Sequence, residues 1–330
     1  MSQTAMPQPP ALNERRTIPA GMIDDARKHV YEAAYRTPLV RLNYNEAPCE
    51  IYLKLENLQP IGSFKIRGAY NTVRLLPPEE RARGVWTISA GNAAQGVALA
   101  ARKADVPCKV LVIETAPAAK LQAIRRLGAE IVKAPFDECW KALGERNHPA
   151  MTGSFVHPFE DDSFIAGNAS AGLEILEDLP EVDAVVAGFG GGGLSCGIAS
   201  ALAAHKPGVK VYGAEPETAA PLARSFAAGS AQDFPGWTAS FVDGCGGKSV
   251  FPRMWALAHH LLAGSIVVSL EETRRAMKLV AERNRIIAEG AAACAVAAAL
   301  SGKCGSGKVV AVVSGGNIDL AKFTELVSAT

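Results

Sequence analysis

Residues 185–202 read VVAGFGGGGLSCGIASAL: an apolar, partly β-branched run, four consecutive glycines (Gly190, Gly191, Gly192 and Gly193), and a helical pattern that begins near Leu194. A run that is apolar almost throughout suits a strand of a parallel sheet covered on both faces. Four glycines in a row are entropically costly and serve no packing purpose in a strand. They do let backbone N–H groups converge at a helix N-terminus, where the partial positive charge favours an anion. A flexible turn is the plainer reading, but the placement between buried strand and helix favours a phosphate cradle. The loop matches neither GxxxxGK[ST] nor GxGxxG with an acidic residue about 20 positions on, which makes ATP and NAD poor candidates.

Outward from this loop the same alternation recurs. Strand-like runs lie at 50–56, 85–90, 108–114, 129–135, 182–190, 209–216 and 308–316, separated by helical stretches. Strands alternating with helices predict an α/β fold. One group of βαβ units falls around 81–157 and another from about 180 onward. The chain of 330 residues is long enough for about two domains. The expectation is a large cofactor-binding domain from 20–80 and 158–330, a small substrate-carboxylate domain at 81–157, and a loose arm at 1–19. Ligands in such sheets sit beyond the carboxyl ends of the strands, so the site is expected in the cleft.

Thirty-four basic residues against thirty-three acidic ones give a formal charge of +1, with no electrostatic footprint for nucleic acid or an anionic membrane surface. No apolar run reaches the length of some 18 residues that a membrane span needs. The seven cysteines are scattered without a CxxC pair, which argues against a disulfide framework or a zinc site. A cytoplasmic protein without a metal-thiolate centre is expected. His259 and His260 read as packed or solvated, and 271–277 as an exposed helix face.

Three more loops stand out. In NLQPIGSFKIRGAYN (57–71), Lys65 is flanked by Phe64 and Ile66 just after Pro60 and Gly62, at the start of a helical pattern. An ammonium group is poorly placed there, whereas an amine is well placed, because burial pushes a lysine pKa down. In TISAGNAAQGVALAAR (87–102), Ser89 and Asn92 border a turn into a helix. Alone this is a capped helix start. In VVAVVSGGNID (309–319), Ser314 closes a buried strand, where a hydroxyl can simply satisfy backbone. Together, an amine-bearing lysine, a phosphate cradle, an asparagine loop and a strand-end serine are the parts needed to hold pyridoxal 5'-phosphate.

The motifs SFKIRGAYN, SAGNAAQGVA, HPFEDD, GGGGL, GAEP and SGGN, in this order, resemble the fold type II (tryptophan synthase β-like) pyridoxal-phosphate enzymes. More narrowly, the chain resembles the serine/threonine dehydratases and their relative serine racemase, over residues 20–325. The resemblance implies two open twisted parallel sheets with the cofactor between them. It makes Lys65 the Schiff-base residue and lays Phe64 against the pyridine ring. Asn92 would bond the ring hydroxyl, and Gly190, Gly191, Gly192, Gly193 and Leu194 would cradle the phosphate. Ser314 would meet the pyridine nitrogen, and Ser89, Ala90, Gly91, Asn92 and Ala93 would receive the substrate carboxylate, with Ser89 also placed among the catalytic residues. A neutral Ser314 makes a weaker electron sink than an acid would and suits prompt β-elimination. The implied activity is an ammonia-lyase: Lys65 removes the Cα proton, the β-hydroxyl leaves as water, and hydrolysis releases a 2-oxo acid and ammonia.

Departures from the family pattern refine this. Serine racemases carry a second serine before the Gly-Asn; here it is Ala90, which counts against the alternative of a racemase. The SAGN loop counts likewise against a β-replacement synthase. Threonine dehydratases carry a histidine where this chain has Ala93, and Gly-Gln-Gly-Thr where it has Gly167, Asn168, Ala169 and Ser170. Both changes are expected on the substrate side of the pocket. They open it to a bulkier β-hydroxy amino acid, such as a phenylserine, or to a hydroxylated solute derivative. Relatives bind a divalent cation through a set that maps onto Glu215, Ala219 and Pro221. Proline supplies no carboxylate, so the cation is doubtful and no metal ligand is assigned, with Glu217 the acid that could compensate. The regulatory domain of biosynthetic threonine dehydratases does not follow SGGN, so isoleucine feedback is not expected. Glu289 is expected either to cap the alanine-rich helix after it or to reach the cofactor. The expected partners are a small-molecule amino acid and further copies of the chain, as a homo-oligomer (dimer or tetramer).

Overall fold

The computed structural model describes residues 15–329. Ten strands form two sheets: β1 (Leu39–Arg41), β2 (Glu50–Lys54), β3 (Val85–Ile88), β4 (Cys108–Ile113), β5 (Glu130–Ala134), β6 (Ser154–Phe155), β7 (Ala184–Gly188), β8 (Lys210–Pro216), β9 (Gly264–Val268) and β10 (Lys308–Val312). The six-stranded sheet runs β1-β2-β10-β7-β8-β9 and the four-stranded sheet β5-β4-β3-β6. All pairings are parallel except β1 with β2, so the larger sheet carries one antiparallel edge. The seven runs read as strands all form strands. β1, β6 and β9 were not legible: two are only two or three residues long, and GSIVV of β9 merges with the apolar helix before it.

β7 and β10 pair at the centre of the larger sheet, covered on both faces, which is why their side chains are apolar apart from Lys308 at the start of β10. Their carboxyl ends deliver the glycine loop and Ser314. The loop before Lys65 is tied to the same place. Ser63 bridges Gly315, the Phe64 amide donates to the Ser314 carbonyl at 3.0 Å, and the Gly316 amide donates to the Gly62 carbonyl at 2.9 Å. Gly62 has φ +70°, and a Cβ there would meet Asn317 Oδ1 at 2.6 Å, so the turn that launches the lysine helix requires glycine.

The helix Lys65–Leu75 packs on Asp162–Asp178 at close range: a Cβ on Gly68 would lie 2.4 Å from the Phe164 ring, and one on Gly167 2.4 Å from the Arg67 carbonyl. Beneath this contact the fully buried Arg67 pairs with Glu56 and Glu174, and the equally buried Lys54 with Glu174. At the start of the described chain Arg16 is buried, donating to the carbonyls of Glu160 and Arg253, and Ile18 joins the core. The arm expected to be loose to residue 19 is therefore anchored from Arg16; its residues 1–14 lie outside the described residues.

Candidate active site

A cavity of about 520 Å³ opens between the two sheets, lined among others by Phe64, Lys65, Ser89, Ala90, Gly91, Asn92, Ala93, Gly190, Gly191, Glu289, Ser314 and Asn317. Four loops separated by up to 250 positions in sequence thus meet at one place. The size lies within the range of small-ligand pockets.

Lys65 is the first residue of its helix and reaches into this cavity. Its Nζ donates to the Pro158 carbonyl at 2.6 Å and lies 5.1 Å from the Phe64 ring and 5.4 Å from the Phe164 ring. Burial lowers its pKa to about 8, partly opposed by the charge of Glu289. The sequence reading had the effect right and one neighbour wrong. Ile66 points away into the core with Val73 and Val97, since adjacent helical residues lie about 100° apart; the second apolar wall is Phe164.

The glycine loop has the makings of an anion cradle. Among the described residues, the amides of Gly190, Gly191, Gly192, Gly193 and Leu194 donate to no protein acceptor. They precede the helix Ser195–His205, so the helix dipole adds to them. Gly192 has φ +88°, and a Cβ on Gly191 would lie 2.2 Å from the Phe159 ring. Five unpaired amides at one helix start fit a phosphate. The other donors fit as well: Ser314 lines the cavity and its hydroxyl has no protein partner among the described residues, and Asn92 Nδ2 keeps one N–H after donating to Glu289 Oε1 at 2.8 Å.

The start of the helix Asn92–Lys103 turns toward the cavity. Its N-cap is Gly91, whose amide donates to Ser89 Oγ at 3.1 Å, so neither Asn92 nor Ser89 caps the helix by side chain. The first helical amides remain available to an anion such as a carboxylate.

Of the two alternatives for Glu289, the helix cap is not formed, and the residue lines the cavity. It makes no side-chain cap to the helix Gly290–Leu300. Instead Oε1 accepts from Asn92, Oε2 accepts from the Asn317 amide at 3.1 Å, and Asn317 Nδ2 donates to Asn92 Oδ1 at 2.7 Å. Burial, and secondarily the charge of Asp243, raises its pKa to about 7 against those hydrogen bonds. Its only sequence signal was an acid at the head of a very apolar helix.

Asn168 corrects another expectation. It is fully buried, accepts from the Gly68 amide at 3.1 Å and donates to the Gly193 carbonyl at 3.1 Å. Ser170 is also buried and bonds Arg67. Asn168 thus ties the glycine loop to the helix pair, and neither residue lines the cavity, whereas Ala93 does. Their helix faces inward because Gly167 draws it onto Arg67.

At the positions mapped onto the family's cation site, Glu215, Ala219 and Pro221, the one carboxylate already has partners. Glu215 Oε1 accepts from the Leu222 amide at 2.8 Å, and Oε2 from the Ala223 amide at 2.9 Å and from Ser265 Oγ at 2.6 Å. Its carboxylate therefore caps the helix Pro221–Ala228. Glu217 accepts from the Leu270 amide at 2.9 Å. Among the described residues no cluster of three His, Cys, Asp or Glu could hold a metal. His259 stacks on Trp255, and His260 Nε2 meets the Arg16 carbonyl at 2.9 Å.

Known proteins agree with this geometry. Residues 30–315 match the family described as pyridoxal-phosphate dependent enzyme. The chain is 42% identical over 282 residues to the L-threonine ammonia-lyase of Thermotoga maritima, covering 84% of this chain and 70% of that protein. It is 37% identical over 329 residues to the catabolic L-threonine dehydratase TdcB of Staphylococcus aureus N315, covering 96% and 94%. Maize serine racemase superposes with a TM-score of 0.85 at 30% identity, over 96% of this chain and 98% of that one. The processed threonine deaminase isoform 2 of Solanum lycopersicum gives 0.83 at 29%, over 98% of each. The chain belongs to the pyridoxal-phosphate dependent enzymes, and within them to the serine/threonine dehydratase family.

Proposed function

We propose that this protein is a pyridoxal-phosphate-dependent ammonia-lyase that eliminates water from a β-hydroxy amino acid of the threonine or serine type. One observation carries the reading: a depressed-pKa lysine, five unpartnered loop amides and a free serine hydroxyl converge on a single cavity. In this reading the amides of Gly190 to Leu194 hold the phosphate, Asn92 the ring hydroxyl and Ser314 the ring nitrogen, with Phe64 beside the ring. Ser89 to Ala93 and the helix start behind them bind the substrate carboxylate. Bound there, the cofactor supplies an electron sink that acidifies Cα–H. Lys65 Nζ would take the Cα proton, and the β-hydroxyl, gaining one proton in exchange as the Cβ–O bond breaks, would leave as water; hydrolysis of the released enamine would give a 2-oxo acid and ammonia. Ala90 provides no base for the opposite face of Cα, which weighs against racemisation.

The proposal extends to three coarser matters. β3 to β6 all fall within 81–157, which supports that segment as the small domain. Seven free cysteines suit a reducing compartment such as the cytoplasm. The engaged carboxylate of Glu215 argues for a cation-independent enzyme. Dialysis against a chelator should therefore change neither kcat nor the melting temperature, and a fall in either, restored by magnesium, would place a cation at Glu215 after all.

The direct test is a product assay. Incubated with L-threonine, L-serine and bulkier β-hydroxy amino acids, the holoenzyme should release 2-oxo acid and ammonia in equal amounts from at least one. Formation of the D-isomer without oxo acid would overturn the reading in favour of a racemase.

A further inference from the structure

Three of the eight large hydrophobic side chains exposed among the described residues, Phe136, Trp140 and Trp237, lie in one district beside the cavity. Phe136 and Trp140 are 46% and 43% exposed and line the same cavity as Lys65 and the carboxylate loop. They stand on the helix Phe136–Glu145 at i and i+4, and Leu143 at i+7 continues the face into the cavity. The helix already meets the core through Cys139 and Ala142, so core packing does not require the outer rings. Phe159, Gly190 and Gly191 line the same cavity.

We propose that Phe136, Trp140 and Leu143 form the side-chain subsite and select β-hydroxy amino acids whose β-substituent is bulky and apolar, an aryl ring above all. The inference rests on the ammonia-lyase reading and names its substrate class. The rings are held in place before any ligand arrives. Phe136 and Trp140 stack with centroids 6.2 Å apart and planes 10° from parallel, and Trp140 meets the edge of Phe251 at 5.9 Å. The Lys248 ammonium sits 4.4 Å from the Phe136 ring and 4.9 Å from Trp237. Ala93 adds only a methyl group to the lining. A threonine methyl group would leave most of this wall in water, whereas a phenyl group would bury it.

Charge points the same way. Lys248 is engaged by two rings, and Lys120 at the cavity is paired with Asp243 at 2.5 Å. Both ammonium groups already have partners, and an uncharged β-substituent asks nothing further of them.

The test compares kcat/KM of the holoenzyme on threo-3-phenylserine and on L-threonine, reading phenylpyruvate or 2-oxobutyrate with ammonia. Wild type should favour phenylserine. Trp140→Ala should lower that value by about 10–100-fold, mainly through KM, while threonine changes far less. Trp140→Phe, which keeps an aromatic face, should restore most of the preference and guards against a folding defect. A wild type that prefers threonine, or a Trp140→Ala loss equal for both substrates, overturns the subsite while leaving the ammonia-lyase reading intact. Ammonia from neither substrate nor any other β-hydroxy amino acid would take both down together.

Discussion

Lys65→Ala is expected to reduce turnover by at least about 10³-fold while the protein still folds. The amine makes one hydrogen bond, to the Pro158 carbonyl, and that acceptor borders the cavity, where water can replace the lost donor. Removing a half-buried ammonium from beside two phenyl rings relieves a desolvation cost, so the melting temperature should hold or rise. The lost function has two parts: covalent retention of the cofactor and removal of the Cα proton. Borohydride reduction of the holoenzyme followed by peptide mapping reads the first of them, since the label must fall on the peptide containing Lys65. A label elsewhere would remove the lysine from its role and the proposed chemistry with it.

The same lysine sets a pH dependence. Its pKa in the folded apo-protein is lowered to about 8, and only the neutral amine attacks an aldehyde. Uptake of the cofactor by apo-protein should therefore speed up as pH rises through about 8 and level off above it. A lysine at its ordinary value near 10.5 would show no plateau in that range. The linkage to stability has the matching sign. A lysine with a depressed folded pKa favours the folded state once it is neutral, so its unfavourable contribution fades as pH rises above about 8.

Much of this was legible because the informative residues are locally odd. A lysine between apolar neighbours, four glycines after an apolar strand and a serine at a strand end each break a local rule, and such violations mark functional sites. What escaped the sequence was set by tertiary direction. Asn168 sits in the motif that resembles the family's substrate side, yet Gly167 and Gly68 bring two helices so close that its amide turns to the glycine loop. Glu289 looks like a helix cap, but two asparagines from distant loops claim its oxygens. Trp140 and Leu143 fall on an amphipathic pattern, and only the second sheet shows that their face borders a cavity and not plain solvent. The strand β9 escaped because its apolar run continues that of a helix, leaving no punctuation except Gly264.

Arg67 gave no functional signal beyond its place in the lysine motif, and it carries the second large expected effect. Its Nε and Nη2 donate to Glu56 at 2.7 and 2.8 Å, and its Nη1 and Nη2 to Glu174 at 2.7 and 2.9 Å. Lys54 completes the group, 2.6 Å from Glu174 and donating to the Thr37 carbonyl at 2.6 Å. All four ionic side chains are fully buried, so the cluster is neutral only as a set of two cations and two anions. Arg67→Ala leaves Glu56 without a cation and should cost about 3–5 kcal/mol, read as a lower melting temperature or denaturant midpoint. Adding Glu56→Gln restores the balance as one Lys54–Glu174 pair and should recover part of that loss, which a purely steric account of the truncation does not allow. Glu174 supplies the pH signature. Burial alone would raise its pKa, but Arg67 and Lys54 hold it down at about 2, so the stability it confers is present above its usual value near 4.5 and drains away as pH falls toward 2. In Arg67→Ala this acid limb should shift upward, because Lys54 alone holds the carboxylate ionised less strongly. If the single variant melts like wild type, or the double variant is no more stable than the single, charge balance is not what holds the lysine helix to its neighbour.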